Sequence, residues 1–337
     1  MLLHGKNVLL TTPEYPPHQL GGIATLSKTI VDALEAEGCT VTIFVWRKPQ
    51  EVNQAIKNFQ GHLIHAHYWP SLWIASKDKK RSINIIHGAE LLTYSKNPLI
   101  HFIKKRTKKY SNRALEQACA NIFISQFSLD KAEQLGMKIN YSRDILFPNR
   151  IDLTDVKMTK ASSLKDSDEI KLCCFARDVP HKNIQGTIYF SELLADISKK
   201  KVSLRLGPGQ YRSTKIEINC EVVKNEQRDQ IYKDSHFNCI FSLDQSHIGN
   251  VEGFGLTPLE AAKHSTPSIG FASGGLTESI HEQKTGWILK SINRDSVEKW
   301  YREAMIHYDD IAANCFKHTI NNHSSSDYAN LFLGLWS

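Results

Sequence analysis

Asn7-Val8-Leu9-Leu10-Thr11-Thr12 is a short apolar run, followed by the loop Pro13 to Gly22, an amphipathic stretch Ile23–Glu37 stopped at Gly38, and a second apolar run, Thr40–Trp46. A strand, a loop ending in glycines, a helix and a strand in that order make the repeating unit of a parallel α/β layer. The alternation continues outward from there. His62–Ala66 and Ile83–Ile86 read as strands, a long helix runs from about Pro98 to Ala118, and Asn121–Ser125 and Ile145–Phe147 are strands again. Residues 154–169 are polar and lack an apolar period, as expected of a linker. The pattern then restarts. Ile170–Ala176, Val202–Gly207, Asn238–Leu243, Ser268–Phe271 and Gly286–Leu289 read as strands; Ile184–Ser198 and Thr257–His264 read as helices; Asp295 to Trp336 reads as wholly helical. The expected fold class is α/β, with two Rossmann-like, doubly wound domains facing each other across a cleft.

Composition fits this architecture. A chain of 337 residues is long enough for two cores, and 41% hydrophobic with 23% charged residues is ordinary for a globular enzyme. No apolar run is long enough for a transmembrane helix, and Met1 to Lys6 leads into the first strand without a cleavage site, which points to a cytoplasmic location. The seven cysteines are scattered and form no C-x-x-C pair, so neither a zinc site nor a disulfide framework is expected. The net charge of +7 is uneven: residues 1–150 carry 20 Lys and Arg against 11 Asp and Glu, and the remainder 22 against 24. A basic first half suits an anionic partner.

Ligands of open α/β sheets bind beyond the carboxyl ends of the strands, so the strand-to-helix loops carry the chemistry. Gly21 and Gly22 open the first helix and allow a phosphate to approach backbone N–H groups, or simply serve a turn. His87-Gly88 follows a strand directly, at the sheet rim. Arg177 and Lys182 lie five apart in one loop, spaced to clamp a diphosphate or merely solvated there. The densest stretch is Glu252-Gly253-Phe254-Gly255-Leu256-Thr257-Pro258-Leu259-Glu260, followed by Ser273-Gly274-Gly275-Leu276-Thr277-Glu278. Glu260 has a structural reading as the partner of Thr257 in a capping box; Glu252 has none. Lys104, Lys105, Arg106, Lys108 and Lys109, preceded by Leu99, Phe102 and Ile103, make a basic amphipathic helix suited to an anionic leaflet, with a solvated outer face as the alternative.

The Glu252 to Glu260 stretch, Thr266-Pro267 and Gly274 to Glu278 resemble the E-x7-E block of glycosyltransferase family four, whose members have the GT-B fold and retain anomeric configuration. Gly21-Gly22, His87-Gly88, Ser125, Pro148-Asn149 with Ile151-Asp152, and Arg177 with Lys182 fall in that family's order. The chain departs from the pattern at Ala176, Asn183 and Ser265, where glycines are common.

The resemblance implies an acceptor-binding domain over residues 1–152, a donor-binding domain over 153–316, and a helix 317–337 packing back on the first. It implies that His87, Arg177, Lys182 and Glu252 act on the transferred sugar and the diphosphate. Gly21, Gly22, Glu260, Gly274, Gly275 and Leu276 would hold the donor. The expected donor is a UDP- or GDP-sugar and the acceptor a glycan or lipid-linked glycan, with no metal, no cofactor and no nucleic acid partner. Surface polysaccharide or glycolipid synthesis at the inner face of a membrane is the implied setting. A nucleotide-sugar epimerase of the same shape, and a non-catalytic binder of anionic surfaces or nucleic acid, are the alternatives.

Overall fold

The computed structural model describes residues 4–17, 21–94, 97–154, 156–158, 163–223 and 225–336. These residues fall into two compact units. The first comprises Met1–Asp152, Ser246–Gly249 and His323–Ser337, and the second Leu153–Gln245 and Asn250–Asn322.

The first unit holds a six-stranded parallel sheet of β1 (Asn7–Thr12), β2 (Thr40–Val45), β3 (His62–His65), β4 (Ser82–Ile86), β5 (Ala120–Phe123) and β6 (Asp144–Leu146), in the order β2-β1-β3-β4-β5-β6. Its helices are α1 (Gly22–Ala36), α2 (Val52–Ile56), α3 (Ser76–Lys79), α4 (Pro98–Glu116) and α5 (Gln126–Gln134). β4 is buried along its whole length, as a central parallel strand covered on both faces should be.

The strands read as apolar, yet the sheet also carries a buried polar ladder. Thr11 Oγ1 lies 2.7 Å from His65 Nδ1, His65 Nε2 lies 3.2 Å from Ser82 Oγ, and Ser82 Oγ donates to the Asp78 carbonyl. Because Ser82 gives its one proton to that carbonyl, His65 donates through Nε2 and accepts from Thr11 at Nδ1. One step further along the sheet, Ser71 donates to Asn84, Asn84 to Asn121, and Asn121 to Asp144, with all four buried. A one-residue slip of any of these strands would orphan several buried groups, so the ladder fixes register.

The second unit repeats the plan. Its sheet contains β7 (Glu169–Cys174), β8 (Lys201–Leu206), β9 (Glu217–Cys220), β10 (Phe237–Ile240), β11 (Ser268–Phe271) and β12 (Gly286–Leu289), ordered β12-β11-β10-β7-β8-β9 and parallel throughout. Its helices are α6 (Ile184–Ser198), α7 (Asn225–Asp234), α8 (Thr257–Ala262), α9 (Leu276–Ser279) and α10 (Arg294–Asn322). Phe190, Phe237, Trp287, Trp300 and Tyr308 fill one core cluster, with Trp300 5.1 Å from both Phe190 and Phe237 by ring centroids. In both sheets the order reverses once, between β1 and β3 and between β7 and β10. These are the switch points at which ligands enter doubly wound folds.

The C-terminal segment is not one helix. The chain leaves α10 at Asn322 and begins α11 at Asp327 (Asp327–Trp336). In the interruption, backbone groups bond across to the end of the first unit: Ile151 N donates to His323 O and Ser325 N to Ile151 O. α11 packs against α1, with Tyr328, Ala329 and Phe332 buried. Arg150 donates to Asp327 at 2.8 Å and lies 4.2 Å over the Phe147 ring. The Pro148 to Ile151 stretch thus anchors the C-terminal segment.

Candidate active site

In the second unit, β7 delivers the chain into the loop 175–183, and β10 delivers it into the long loop that carries Glu252. Leu243 N donates to His181 O at 2.7 Å, tying the two loops together. A 3₁₀ turn, Pro180–Lys182, then turns the lysine inward. Lys182 Nζ and a Glu252 carboxylate oxygen form an ion pair 70 residues apart in sequence, and the two side chains are 13% and 15% exposed. A lysine and a carboxylate so shielded are strong partners while paired and costly when one is removed. A ligand that recruits both must therefore offer an anion to the ammonium and donors to the carboxylate. Arg177 lies exposed on the same loop, and the ion pairs among the described residues do not include it.

The departures from glycine explain themselves here. Asn183 adopts φ 52° and Ser265 φ 61°, the left-handed region where glycine is the ordinary occupant. Asn183 tolerates that conformation because its side chain is fully engaged: Oδ1 caps α6 through Gly186 N, and Nδ2 donates to Phe241 O.

Glu260 does not close a capping box. Thr257 is the first helical residue of α8 and Leu256 its N-cap, without a side-chain cap. The carboxylate instead faces α7, where Arg228 Nη1 and Tyr232 Oη each donate to Oε2 at 3.3 Å. The clamp holds one oxygen of Glu260. Arg228 and Tyr232 carry no sequence signal of their own, because α7 reads as an ordinary polar stretch.

The glycines of the downstream loop serve close packing. A Cβ at Gly274, whose φ is +54°, would strike the Glu252 carbonyl, and one at Gly275 would strike the Gly253 carbonyl. Gly275 N donates to Glu252 O, and Leu276 N to Ser273 O. The Glu252 loop is thereby welded to the start of α9, and those two amides are engaged within the protein. Leu276 itself is fully buried. A separate cavity of about 820 Å³ lies against the ends of β10, β11 and β12, lined by Ser242, Asp244, Phe271, Thr277 and Lys290 among others; Lys182, Glu252 and Glu260 do not line it.

In the first unit, Gly21 is the N-cap of α1 and the Glu14 carboxylate packs against it, while the space a side chain of Gly22 would fill is open. His18 to Leu20, in the same loop, lie outside the described residues. His87 follows β4 and is fixed at two points: its backbone N–H donates to Glu90 Oε1 at 2.6 Å, and its ring Nε2 lies 2.7 Å from the Ala66 carbonyl. A carbonyl only accepts, so Nε2 carries the proton and, in a neutral ring, Nδ1 presents a lone pair. The His67 ring stacks 6.3 Å from that of His87. Burial, with the charge of His87 second, holds His67 down to about 3. Burial raises the Glu90 carboxyl, against the pull of His87, and lowers Lys108 to about 8, against the pull of Glu90.

Residues 155–307 match the model of the glycosyl transferases group 1 family. The fold is shared with HepE of Anabaena in its complex with UDP, at 14% identity and a TM-score of 0.71, over 98% of this chain and 99% of that one. It is shared too with the sucrose-phosphate synthase of Thermosynechococcus elongatus (13%, 0.73, 98% of each chain) and a glycosyltransferase of Rickettsia africae (15%, 0.70, 99% and 98%). No curated protein sequence matches. The chain has the two-domain α/β architecture of GT-B proteins, and the family match over most of the second unit supports a glycosyltransferase.

The basic helix is re-sorted by the structure. Lys104, Lys105, Arg106 and Lys109 are exposed on α4. Lys108 is not part of that surface: its Nζ turns toward the Leu91 carbonyl and Glu90. His67, Glu90 and Lys108 form the polar surroundings of His87, and sequence spacing alone had no means of joining them. No helix among the described residues is long and apolar enough to cross a membrane.

Proposed function

We propose that this protein is a retaining, metal-independent glycosyltransferase that moves a hexose-type sugar from a UDP- or GDP-sugar to a glycan or lipid-linked acceptor in surface polysaccharide or glycolipid synthesis. The observation that carries the reading is the Lys182–Glu252 pair at the switch point of the second sheet, with Glu260 clamped by Arg228 and Tyr232 close by in sequence. HepE has been crystallised with UDP and glucose, and with UDP-glucose, which favours a uridine nucleotide.

In this reading the diphosphate takes Lys182 and Arg177, Glu252 accepts from hydroxyls of the donor sugar, and Glu260 accepts from the ribose hydroxyls through its unclamped oxygen. The bond from the anomeric carbon to the diphosphate oxygen breaks, and the acceptor hydroxyl forms the new bond on the same face. Its proton passes to the departing phosphate. The cations stabilise charge that grows on the leaving group, which is where a preorganised site acts most strongly.

The test is turnover over UDP-, GDP- and ADP-sugars with EDTA present, following nucleoside diphosphate release and the anomeric configuration of the product by NMR. One nucleotide-sugar consumed with retention, undiminished by EDTA, is the expected result. An epimerised donor and no acceptor product would overturn the transfer reading.

A further inference from the structure

α4 presents an unusual outer face. Leu99, Phe102 and Ile103 are 66%, 53% and 49% exposed, and Tyr110 is 60% exposed. With Arg106 and Arg113 they follow the spacing i, i+3, i+4, i+7, i+11, i+14, which is one side of a helix. The opposite side is the packed one: Asn112 and Leu115 are buried, and Asn112 Nδ2 donates to Leu135 O. The outer apolar groups are therefore not a core stripe.

Cations interleave with them. The Arg106 guanidinium lies 5.3 Å from the Phe102 ring, and Lys109 Nζ 5.1 Å from the Tyr110 ring. No Asp or Glu occurs between Leu91 and Leu115. Among the described residues, the ion pairs of this unit lie elsewhere, at Lys28–Asp32, Arg81–Asp78, Arg143–Asp144 and Arg150–Asp327.

Large apolar side chains held in water beside unpaired positive charge match one environment closely, the boundary between anionic headgroups and acyl chains. We propose that the outer face of α4 docks the protein on an anionic lipid bilayer. Leu99, Phe102 and Ile103 enter the headgroup boundary, and Arg106, Lys109 and Arg113 meet the lipid phosphates. A second copy fits poorly, because a two-fold contact would press two cationic faces together. Single-stranded nucleic acid fits poorly too, since Leu99 and Ile103 offer no stacking face. The inference rests on this surface alone and stands apart from the transferase reading.

The experiment is co-sedimentation of the full chain, without nucleotide-sugar, with vesicles of phosphatidylcholine alone and of phosphatidylcholine mixed with phosphatidylglycerol. Binding to the mixed vesicles only is expected. Arg106→Ala and Lys109→Ala should each weaken it about fivefold, and Phe102→Glu with Ile103→Glu should abolish it. The thermal midpoint should not move, because these side chains are exposed. Absence of binding to the mixed vesicles, or undiminished binding by the Phe102→Glu, Ile103→Glu variant, overturns the proposal. So does a self-association or an oligonucleotide complex that accounts for the face in place of vesicle binding.

Discussion

Two charged side chains decide most of the chemistry at the scale of the residue. Removing Lys182 leaves Glu252 without its counter-ion, and removing Glu252 leaves Lys182 in the same state. Loss of activity in either single variant therefore mixes a lost ligand contact with a disturbed loop. The double variant Lys182→Ala, Glu252→Ala separates them, since neither charge is left stranded. Turnover should fall by about 10²-fold or more in Lys182→Ala and stay low in the double variant, whose thermal midpoint should recover toward wild type. Ser265→Gly should stabilise the fold by about 0.5–1 kcal/mol, the left-handed penalty less the entropy of glycine. Asn183→Ala should instead cost about 1–2 kcal/mol through the lost cap of α6. Urea unfolding reads both. The resemblance marked positions 183 and 265 as departures, but only the backbone angles show why glycine suits them.

The reach of sequence reasoning differs from element to element. The sheet strands β1 to β8 and β10 to β12 were legible because apolar runs between turn residues have few other uses. β9 and the helices α2, α3, α5 and α7 were missed: Glu217–Cys220 is half polar, and Asn225–Asp234 shows little apolar period. The same miss hid Arg228 and Tyr232, since a clamp on Glu260 is visible only once α7 lies beside α8. The break between α10 and α11 was signalled by the turn-forming run Asn321-Asn322-His323-Ser324-Ser325-Ser326-Asp327, which the wholly helical reading passed over, and backbone bonds to Ile151 hold it in place. Phe332 is the fully buried side chain of α11, and its ring lies 5.4 Å from that of Trp336. Phe332→Ala should therefore cost about 3–5 kcal/mol, measurable as a lower urea midpoint.

Across the whole molecule, buried histidines set the response to acid. Burial holds His65 and His67 to about 3, and His236 to about 4. The unfolded chain takes up protons at these sites below about pH 6.5, and the native state does not. Their contribution is thus fully present above about pH 6.5 and is lost as the pH falls toward 4, at about 1.4 kcal/mol per pH unit for each histidine. Glu90, raised by burial, acts in the opposite sense. Denaturant midpoints at pH 7 and pH 5 should show the net loss; equal midpoints would contradict the buried neutral rings. The α/β plan and the strand-end loops were legible at this scale, because parallel layers repeat a simple pattern. The buried polar ladder was not, because single Thr, His and Asn residues inside apolar runs declare no partners.

The most direct test of the central claim is equilibrium titration of UDP-glucose and GDP-glucose into the wild-type chain, Lys182→Ala and Glu252→Ala. Saturable binding of one nucleotide-sugar to the wild type, weakened at least tenfold in each variant, about 1.4 kcal/mol, is the predicted result. Binding that neither variant weakens, or none to any nucleotide-sugar, would contradict the account.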